Sequence, residues 1–354
     1  MTSYCTFLVF NPTHVEAIDF LCSAAGWKIR FIADPSERFW FYRNGVTEIS
    51  HPAALIKPRA GSVAGQLMVI DSDETTANNI IGLVCTACDV IEGNCKQNAR
   101  FRRAFELPED PTEQIGIFRD VFRRHGFFEQ FSHNLDFPLA VALAATAWQD
   151  RRLVYAIHKL SRSFETESIT WWSTHPRYGQ IFEKHSERYS AHVNTSIAIN
   201  LAFSAIEEIE LQVKSSAAKA RFLAGDWNPA VLKDILDRLQ KAGIEVGQKV
   251  NWIVRGEESK SEESIKPALG APAPYGDGQV VRDVELTIPE ALHVSSFIRN
   301  FMTAHGFSEA SAFLGPYEVF NVQSLARRLI LSKSRLWNVS TDDILSRTDS
   351  ETKS

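Results

Sequence analysis

The sequence predicts an α+β fold in which a β-containing N-terminal domain is followed by a mainly α-helical bundle. Three short runs rich in β-branched and aromatic residues lie near the N-terminus, at residues 6–10, 27–32 and 38–42. A polar segment with two prolines, residues 107–111, then punctuates the chain. Beyond it, apolar residues recur at helical spacing. The change of pattern places a domain boundary near residue 110.

The N-terminal domain is predicted to alternate strands with two helices. Residues 15–25 form a short helix that Gly26 closes, because glycine is favoured just past a helix C-terminus. The dipeptide Asn44-Gly45 after the third strand is a strong hairpin signal. Residues 66–70 form a further strand, and residues 75–91 form the second helix.

The region after residue 110 is predicted to be helical. Residues 112–125 and 137–160 are the first two helices, and residues 184–213 form a long amphipathic one. Four apolar residues recur at a spacing of four in this long helix and should share one face: Ile197, Leu201, Ala205 and Ile209.

The later helices have clear boundary signals. Residues 230–241 follow the Asn-Pro pair 228–229 and end at Ala242-Gly243. Thr287 and Glu290 have capping-box spacing and should begin a helix that runs to about residue 305, with Gly306 after its end. Pro316 opens the last helix, over residues 318–331.

The predicted domains are four segments of different character. They are a β-rich α+β domain at 1–110, a helical middle segment at 111–183, a helical domain at 184–340 and a disordered tail at 341–354.

Composition limits the classes of function. The chain has 354 residues, 44% hydrophobic and 23% charged, with a net charge of −5, so any nucleic-acid contact must come from a local basic patch. No apolar run approaches the roughly 18 residues that span a bilayer, which predicts no membrane association. Five cysteines and no signal peptide favour the reducing cytoplasm. Cys85 and Cys88 have zinc-ligand spacing but lie in an apolar helix, so two buried thiols are favoured over a metal site.

Candidate catalytic residues lie near the end of the helix that Thr287 begins. Arg299 stays charged at all relevant pH values, Asn300 follows it, and His305, six positions after the arginine, titrates near neutral pH. An arginine and a histidine suffice to cleave RNA without a metal. The same spacing occurs twice more, at Arg119 with His125 and at Arg152 with His158. The surrounding helices must therefore decide.

Those helices resemble a HEPN domain, a helical module of many prokaryotic RNA-cleaving toxins and antiviral effectors. The resemblance covers roughly residues 185–335. The family signature is an arginine, often followed by Asn, Asp or His, with a histidine four to six residues later. Arg299, Asn300 and His305 match it. The α-helical bundle predicted for residues 184–340 is accordingly HEPN-like.

The resemblance implies a metal-independent endoribonuclease that needs no cofactor and acts on an RNA substrate through a homodimeric composite site. In such a protein His305 would transfer protons, Arg299 would hold the phosphate and Asn300 would orient either of them. On an α-helix, Arg299 and His305 would lie about 120° apart, a separation that a second subunit resolves. Such enzymes often act as toxins or antiphage effectors, here with the N-terminal domain as sensor or as the site for a regulatory partner.

Two further pairs are candidates for supporting roles. Glu207 and Glu208 on the long helix are predicted to brace Arg299, and the alternative is ordinary exposed helix charge. Arg327 and Arg328 on the last helix are predicted to attract RNA, and the alternative is a solvated helix face. For the whole protein, the alternatives are a non-catalytic HEPN-like dimerisation or partner-binding protein, and a small-ligand sensor centred on residues 1–110.

Overall fold

The structure is a computed structural model that describes residues 2–33, 38–43, 46–52, 62–94, 104–124, 136–167, 189–216, 218–255, 281–303 and 314–352. The chain divides into two compact units. The first comprises residues 1–92, 96–154 and 338–354, and the second comprises residues 93–95 and 155–337. Strands and helices both occur in each unit, so the protein is α+β, as predicted.

The described elements follow one another along the chain. The first half contains β1 (Ser3–Phe10), α1 (Val15–Ala24), β2 (Ile29–Ala33), β3 (Arg38–Arg43), β4 (Val46–Pro52), β5 (Ser62–Asp71), α2 (Glu74–Glu92), β6 (Phe105–Glu106), α3 (Pro111–Arg124), α4 (Phe137–Trp148) and α5 (Arg151–Thr166). The second half contains α6 (Tyr189–Glu208), β7 (Phe222–Leu223), β8 (Asp226–Trp227), α7 (Pro229–Lys241), β9 (Lys249–Arg255), β10 (Val281–Thr287), α8 (Ile288–Phe297), a π-helix (Ile298–Thr303), α9 (Pro316–Lys333) and α10 (Thr341–Thr352).

An antiparallel sheet organises the first unit, with strand order β4-β3-β5-β1-β6 and β2 also paired with β5. The register of β1 on β5 runs from Ser3 opposite Asp71 to Phe10 opposite Ala64. The Ser3 hydroxyl donates a 2.6 Å hydrogen bond to the Asp71 carboxylate at one end of this pair. The hairpin turn predicted at Asn44-Gly45 lies outside the described residues.

Strand β1 is buried on both faces from Cys5 to Phe10, and all of these residues except Thr6 are apolar. Phe7 packs edge-on against Phe118 of α3, with 5.8 Å between ring centroids. Phe10 stacks on Phe137 of α4 at 4.6 Å. Since successive side chains of a strand point to opposite faces, Phe7 and Phe10 face opposite ways, and α3 and α4 cover opposite faces of the sheet. Helix α3 therefore belongs to the first unit, although the sequence placed the boundary before it.

Two predictions for this unit need correction. The helix predicted over 137–160 is two helices: α4 ends at Trp148, and Asp150 caps α5 by accepting from the backbone N–H of Arg152 at 3.0 Å. The tail predicted to be disordered is the helix α10. Ser340 and Asp343 form its capping box, and Ile344 is buried on its inner face.

In the second unit, the predicted apolar stripe of α6 is buried only in part: Ala205 and the following Ile209 are buried, and Leu201 is half-buried. The fully buried residues of α6 are Thr195, Ala198, Ile199, Ala202, Phe203, Ala205 and Ile206, whereas Ile197 is 44% exposed. A strict spacing of four advances 400° on an α-helix, so a stripe of this kind drifts off the buried face. The helix stops early because Glu210 adopts a positive φ of 61°, and Arg238 donates to the carbonyls of Glu210 and Gln212.

The helix starts predicted at Asn228-Pro229, Thr287 and Pro316 are confirmed. Asn228 caps α7 by accepting from the Ala230 backbone N–H at 3.0 Å. Strands β9 and β10 form an antiparallel pair whose last register position joins Thr287 to Lys249. Thr287 and Glu290 form the predicted capping box, so the chain passes from β10 directly into α8. In the described part of the chain, no helix is both long and apolar enough to cross a bilayer.

Candidate functional site

The candidate arginine and asparagine lie in a π-helix. Helix α8 ends at Phe297, and the following residues, Ile298–Thr303, form backbone hydrogen bonds of π-helical type. An unbroken α-helix to residue 305 was predicted, so the angle expected between Arg299 and His305 does not apply. Short π-helical segments within longer helices occur frequently at functional sites.

Arg299 and Asn300 are joined by their side chains. The Arg299 Nη1 donates to the Asn300 Oδ1 at 2.8 Å, and both residues are half-buried. The Asn300 Nδ2 in turn donates to the Ser296 Oγ at 3.3 Å. The arginine is thus held by a neutral amide and keeps its full charge for another acceptor.

The π-helix is also tied to α6. The Thr303 hydroxyl lies 2.9 Å from the Asn200 Oδ1 and 2.9 Å from the Arg299 backbone carbonyl oxygen. Helix α6 lies within the range of the HEPN resemblance. The π-helix that carries Arg299 is therefore fixed to α6 by a side-chain contact at Thr303.

His305 lies outside the described residues, two positions after the last described residue of the π-helix. Its predicted role as proton-transfer group stays a prediction. The structure brings together Arg299 and Asn300 of the three predicted catalytic residues.

The two predicted bracing carboxylates do not contact Arg299 within the described residues. Glu208 forms an ion pair with Lys159 of α5, with 2.6 Å between Oε1 and Nζ. The same ammonium donates to the Ser204 hydroxyl at 2.8 Å. Glu208 therefore links α6 to α5, and Glu207 lies half-buried beside it. The bracing interaction predicted from the sequence is absent from this part of the chain for both residues.

The side chains of Arg327 and Arg328 both contact other residues of the second unit. Arg328 donates to the Lys249 carbonyl at 2.7 Å and to the Gln248 Oε1 at 2.5 Å, and its guanidinium lies 5.2 Å from the centre of the Trp337 ring. Burial lowers the pKa of Arg328. The Arg327 side chain lies across Gly93. These contacts give Arg328 a structural role at the start of β9, and RNA binding by either residue stays a prediction.

A second cluster of polar side chains, which the sequence analysis missed, adjoins Asn300. The Arg221 Nη1 lies 2.8 Å from the His293 Nδ1, and its Nη2 donates to the Ser215 and Ser296 hydroxyls at 3.3 Å each. Ser296 is therefore shared, because its oxygen also accepts from Asn300. Hydrogen bonds thus connect Arg221 to Arg299 through two neutral side chains.

The small hairpin of β7 and β8 positions this cluster. His293 is 6% exposed, and its ring packs edge-on against Phe222 at 4.8 Å and Trp227 at 6.0 Å. The two aromatic rings are 4.7 Å apart. The sequence did contain one signal, because His293, Ser296 and Asn300 have the i, i+3, i+7 spacing of one helical face. Arg221 gave none, since it lies 72 positions before His293.

The thiols of Cys85 and Cys88 in α2 are both buried, as expected from the apolar helix around them. The described residues contain no group of three or more potential metal ligands from His, Cys, Asp and Glu.

Comparison of the chain with protein-family models, with curated proteins and with solved structures finds no match.

Proposed function

We propose that this protein is a metal-independent endoribonuclease of HEPN type, acting as a homodimer in the role of a toxin or antiphage effector. Arg299 holds the scissile phosphate, Asn300 orients it, and His305 transfers the proton. The second unit carries the chemistry, and the first unit is a sensor or receives a regulatory partner.

The observation that carries the proposal is the Arg299–Asn300 pair in the π-helix. Arg299 is half-buried and not enclosed, and within the described residues its side-chain partner is the neutral Asn300 amide. A carboxylate partner would offset its charge, whereas an amide leaves the charge to a phosphate. The 2.8 Å hydrogen bond also restricts the guanidinium orientation, which favours bidentate binding of two phosphate oxygens.

The chemistry requires two functions at one phosphate. Attack by the RNA 2′-hydroxyl needs a base to remove its proton and an acid to protonate the departing 5′-oxygen. It also needs positive charge next to the phosphorus, where negative charge accumulates on the oxygens. A histidine supplies the first function and an arginine supplies the second. The products are a 2′,3′-cyclic phosphate and a 5′-hydroxyl.

An exposed apolar stripe on α6 supports the homodimer. Tyr189, Val193 and Ile197 are 84%, 54% and 44% exposed and follow one another at a spacing of four. The next helical turn contains Asn200, which contacts the π-helix. A second copy seated on this stripe lies beside the turn that carries Arg299, as a composite site requires.

The first experiment is cleavage of a mixed RNA pool in EDTA by the wild-type chain, Arg299→Ala, His305→Ala and Arg162→Ala. Arg162 is the matched control, because it is an exposed arginine on α5 with the same charge. Loss of a proton-transfer or charge-stabilising group should lower the rate by about 10²-fold or more. We expect activity in EDTA for the wild type and the control only. Equal cleavage by all four proteins would refute the site, and inhibition by EDTA would refute the mechanism.

Mixing the two inactive variants tests the composite site. After exchange of subunits, half of the dimers contain one Arg299→Ala and one His305→Ala chain, and each of these has one intact site of two. Mixing should therefore restore about a quarter of the wild-type activity. No recovery, with subunit exchange verified by mass spectrometry, would place both groups of a site on one chain.

A further inference from the structure

We propose that Arg221 is the centre of a phosphate-binding subsite, held in place by His293 and Ser296. In the proposed nuclease, on which this assignment to RNA rests, the subsite binds the phosphate that neighbours the one at Arg299. RNA and free phosphate would offer this subsite the same chemical group, and titrations with pyrophosphate and with an RNA oligomer separate the two.

The charge of Arg221 is not balanced by its described partners. Its described hydrogen-bond partners are two hydroxyls and an imidazole nitrogen, all neutral acceptors. Burial alone lowers the pKa of this guanidinium, and no carboxylate of the described residues is bonded to it. A partly desolvated cation without a counter-charge is a costly arrangement unless an anion completes it.

His293 contacts Arg221 as a neutral imidazole. Arginine has no acceptor atom, so the 2.8 Å contact requires that the His293 Nδ1 accept from Arg221. The nitrogen therefore carries no proton, and in the neutral ring the proton is on Nε2. The histidine cannot supply negative charge, and its packing against Phe222 and Trp227 fixes the ring that orients the guanidinium.

Arg221 is accessible from solvent and lies in a basic segment of the chain. Arg221 is half-buried and bonded to the exposed Ser215, so an anion reaches the guanidinium from the solvent side of Ser215. Residues 211–221 contain Lys214, Lys219 and Arg221 and no acidic residue. Both lysines are exposed, and the backbone of Ser216 pairs with that of Lys219 within this basic segment. Positive charge in this segment attracts phosphate.

Hydrogen bonds join the proposed subsite to the π-helix that carries Arg299. Ser296 accepts from Arg221 and from Asn300, and Asn300 accepts from Arg299. The two guanidiniums therefore end one continuous chain of hydrogen bonds. An oligonucleotide offers phosphates in series, and a chain with two positioned arginines matches that pattern.

The sharpest test supplies a counter-charge within the protein. Ser215→Asp places a carboxylate where the hydroxyl accepts from Arg221, and Ser216→Asp is the matched control at the adjacent exposed serine. We expect Ser215→Asp to raise the thermal midpoint and to weaken the binding of inorganic pyrophosphate, measured by calorimetry, by about tenfold or more. The control should do neither. Pyrophosphate binding by Ser215→Asp at wild-type affinity would overturn the proposal.

A second comparison separates RNA from free phosphate. Arg221→Gln and the control Arg162→Gln are titrated with pyrophosphate and with a 2′-O-methyl RNA oligomer, which cannot be cleaved through its 2′-oxygen. We expect about tenfold weaker binding of both ligands by Arg221→Gln alone. Weakened pyrophosphate binding with unchanged oligomer binding would overturn the assignment to RNA. If Arg221→Gln does not fold, Arg221→Lys keeps the charge without the planar fork and should still weaken both ligands.

Different results would refute the proposed nuclease activity and the proposed phosphate subsite. Arg299→Ala should lose cleavage and keep pyrophosphate binding, because Arg221 remains. A wild-type protein that binds pyrophosphate through Arg221 and never cuts RNA would refute the nuclease and retain the phosphate site. A nuclease whose Ser215→Asp variant binds and cuts RNA normally would refute the subsite alone.

Discussion

The side chain of Asn321 pairs with both backbone groups of Ile253. The Ile253 N–H donates to the Asn321 Oδ1 at 3.0 Å, and the Asn321 Nδ2 donates to the Ile253 carbonyl at 2.8 Å. The amide thus takes the place of a neighbouring strand at the free edge of β9. Both residues are buried, so α9 is attached to the hairpin by two hydrogen bonds shielded from water.

Asn321→Ala should therefore destabilise the protein strongly. It leaves a buried N–H and a buried carbonyl of Ile253 without their partner, which costs about 2 to 4 kcal/mol. The free energy of unfolding, measured by urea titration, gives the value. Ser324→Ala, a substitution on the same helix, is the control and should stay within about 0.5 kcal/mol of wild type. A loss below that limit for Asn321→Ala would mean that water replaces the amide.

Two glycines of the first unit should respond to alanine with opposite signs. At Gly65, a Cβ would lie 3.0 Å from two ring atoms of Phe7, so the ring must shift against Phe118. We expect a loss of about 1 to 3 kcal/mol for Gly65→Ala. At Gly116 in α3, a Cβ meets nothing within 4 Å, and Gly116→Ala should gain about 0.5 to 1 kcal/mol. Chemical denaturation of both variants tests the pair, and equal signs would contradict the packing of β5 beneath Phe7.

The carboxyl group of Glu167 should make stability depend on pH. Burial raises its pKa above 4.5, and a hydrogen bond of 2.6 Å from Thr195 lowers it less. With a raised folded-state pKa, the contribution to stability is fully present below about pH 4.5 and is lost as pH rises through the folded value.

Glu167→Gln keeps the acceptor for Thr195 and removes the titration. Relative to wild type, this variant should gain stability as pH rises from about 4 to 8, because only the wild type loses its contribution. Thermal midpoints across that range measure the difference. The exposed Glu245→Gln is the charge-matched control and should run parallel to wild type. A wild type that gains on Glu167→Gln with rising pH would reverse the sign and refute the prediction.

The turn between β7 and β8 should be improvable. Ala224 and Gly225 have φ values of 50° and 85°, as a type I′ turn requires at both central positions. The Cβ of Ala224 is strained in this conformation, whereas Asn and Gly tolerate it. Ala224→Asn should raise the free energy of unfolding by about 0.5 to 1 kcal/mol, and Gly225→Ala should lower it by a similar amount. Thermal and urea unfolding of the two variants decide the matter, and a destabilised Ala224→Asn would exclude this turn type.

The sequence predicted those elements whose boundaries are set by local chemistry. Thr287 with Glu290 and Asn228 before Pro229 begin helices through contacts within four residues, and these starts were predictable. The tail helix had the same signal at Ser340 and Asp343, but its polar composition favoured disorder. The end of α6 was not predictable, because it depends on Arg238, 28 positions from Glu210.

In the candidate site, too, contacts between neighbours in the chain were predictable and contacts between distant residues were not. Arg299 and Asn300 are neighbours in the chain, so their association could be inferred from the sequence. The ion pair of Glu208 with Lys159 and the contact of Arg221 with His293 join residues 49 and 72 positions apart. Only the fold brings such residues together, and a single sequence has no periodicity that connects them.

The buried cysteines make thiol labelling a measure of how often the first unit opens. Cys5, Cys22, Cys85 and Cys88 all belong to that unit and are at most 3% exposed, and burial raises the pKa of Cys5 and Cys22 to about 12. A thiol reagent can therefore modify them only when the unit opens. In a Cys95→Ser background, which removes the cysteine outside the described residues, the labelling rate reports the opening of the sheet and its helices while the proposed catalytic unit contributes no signal.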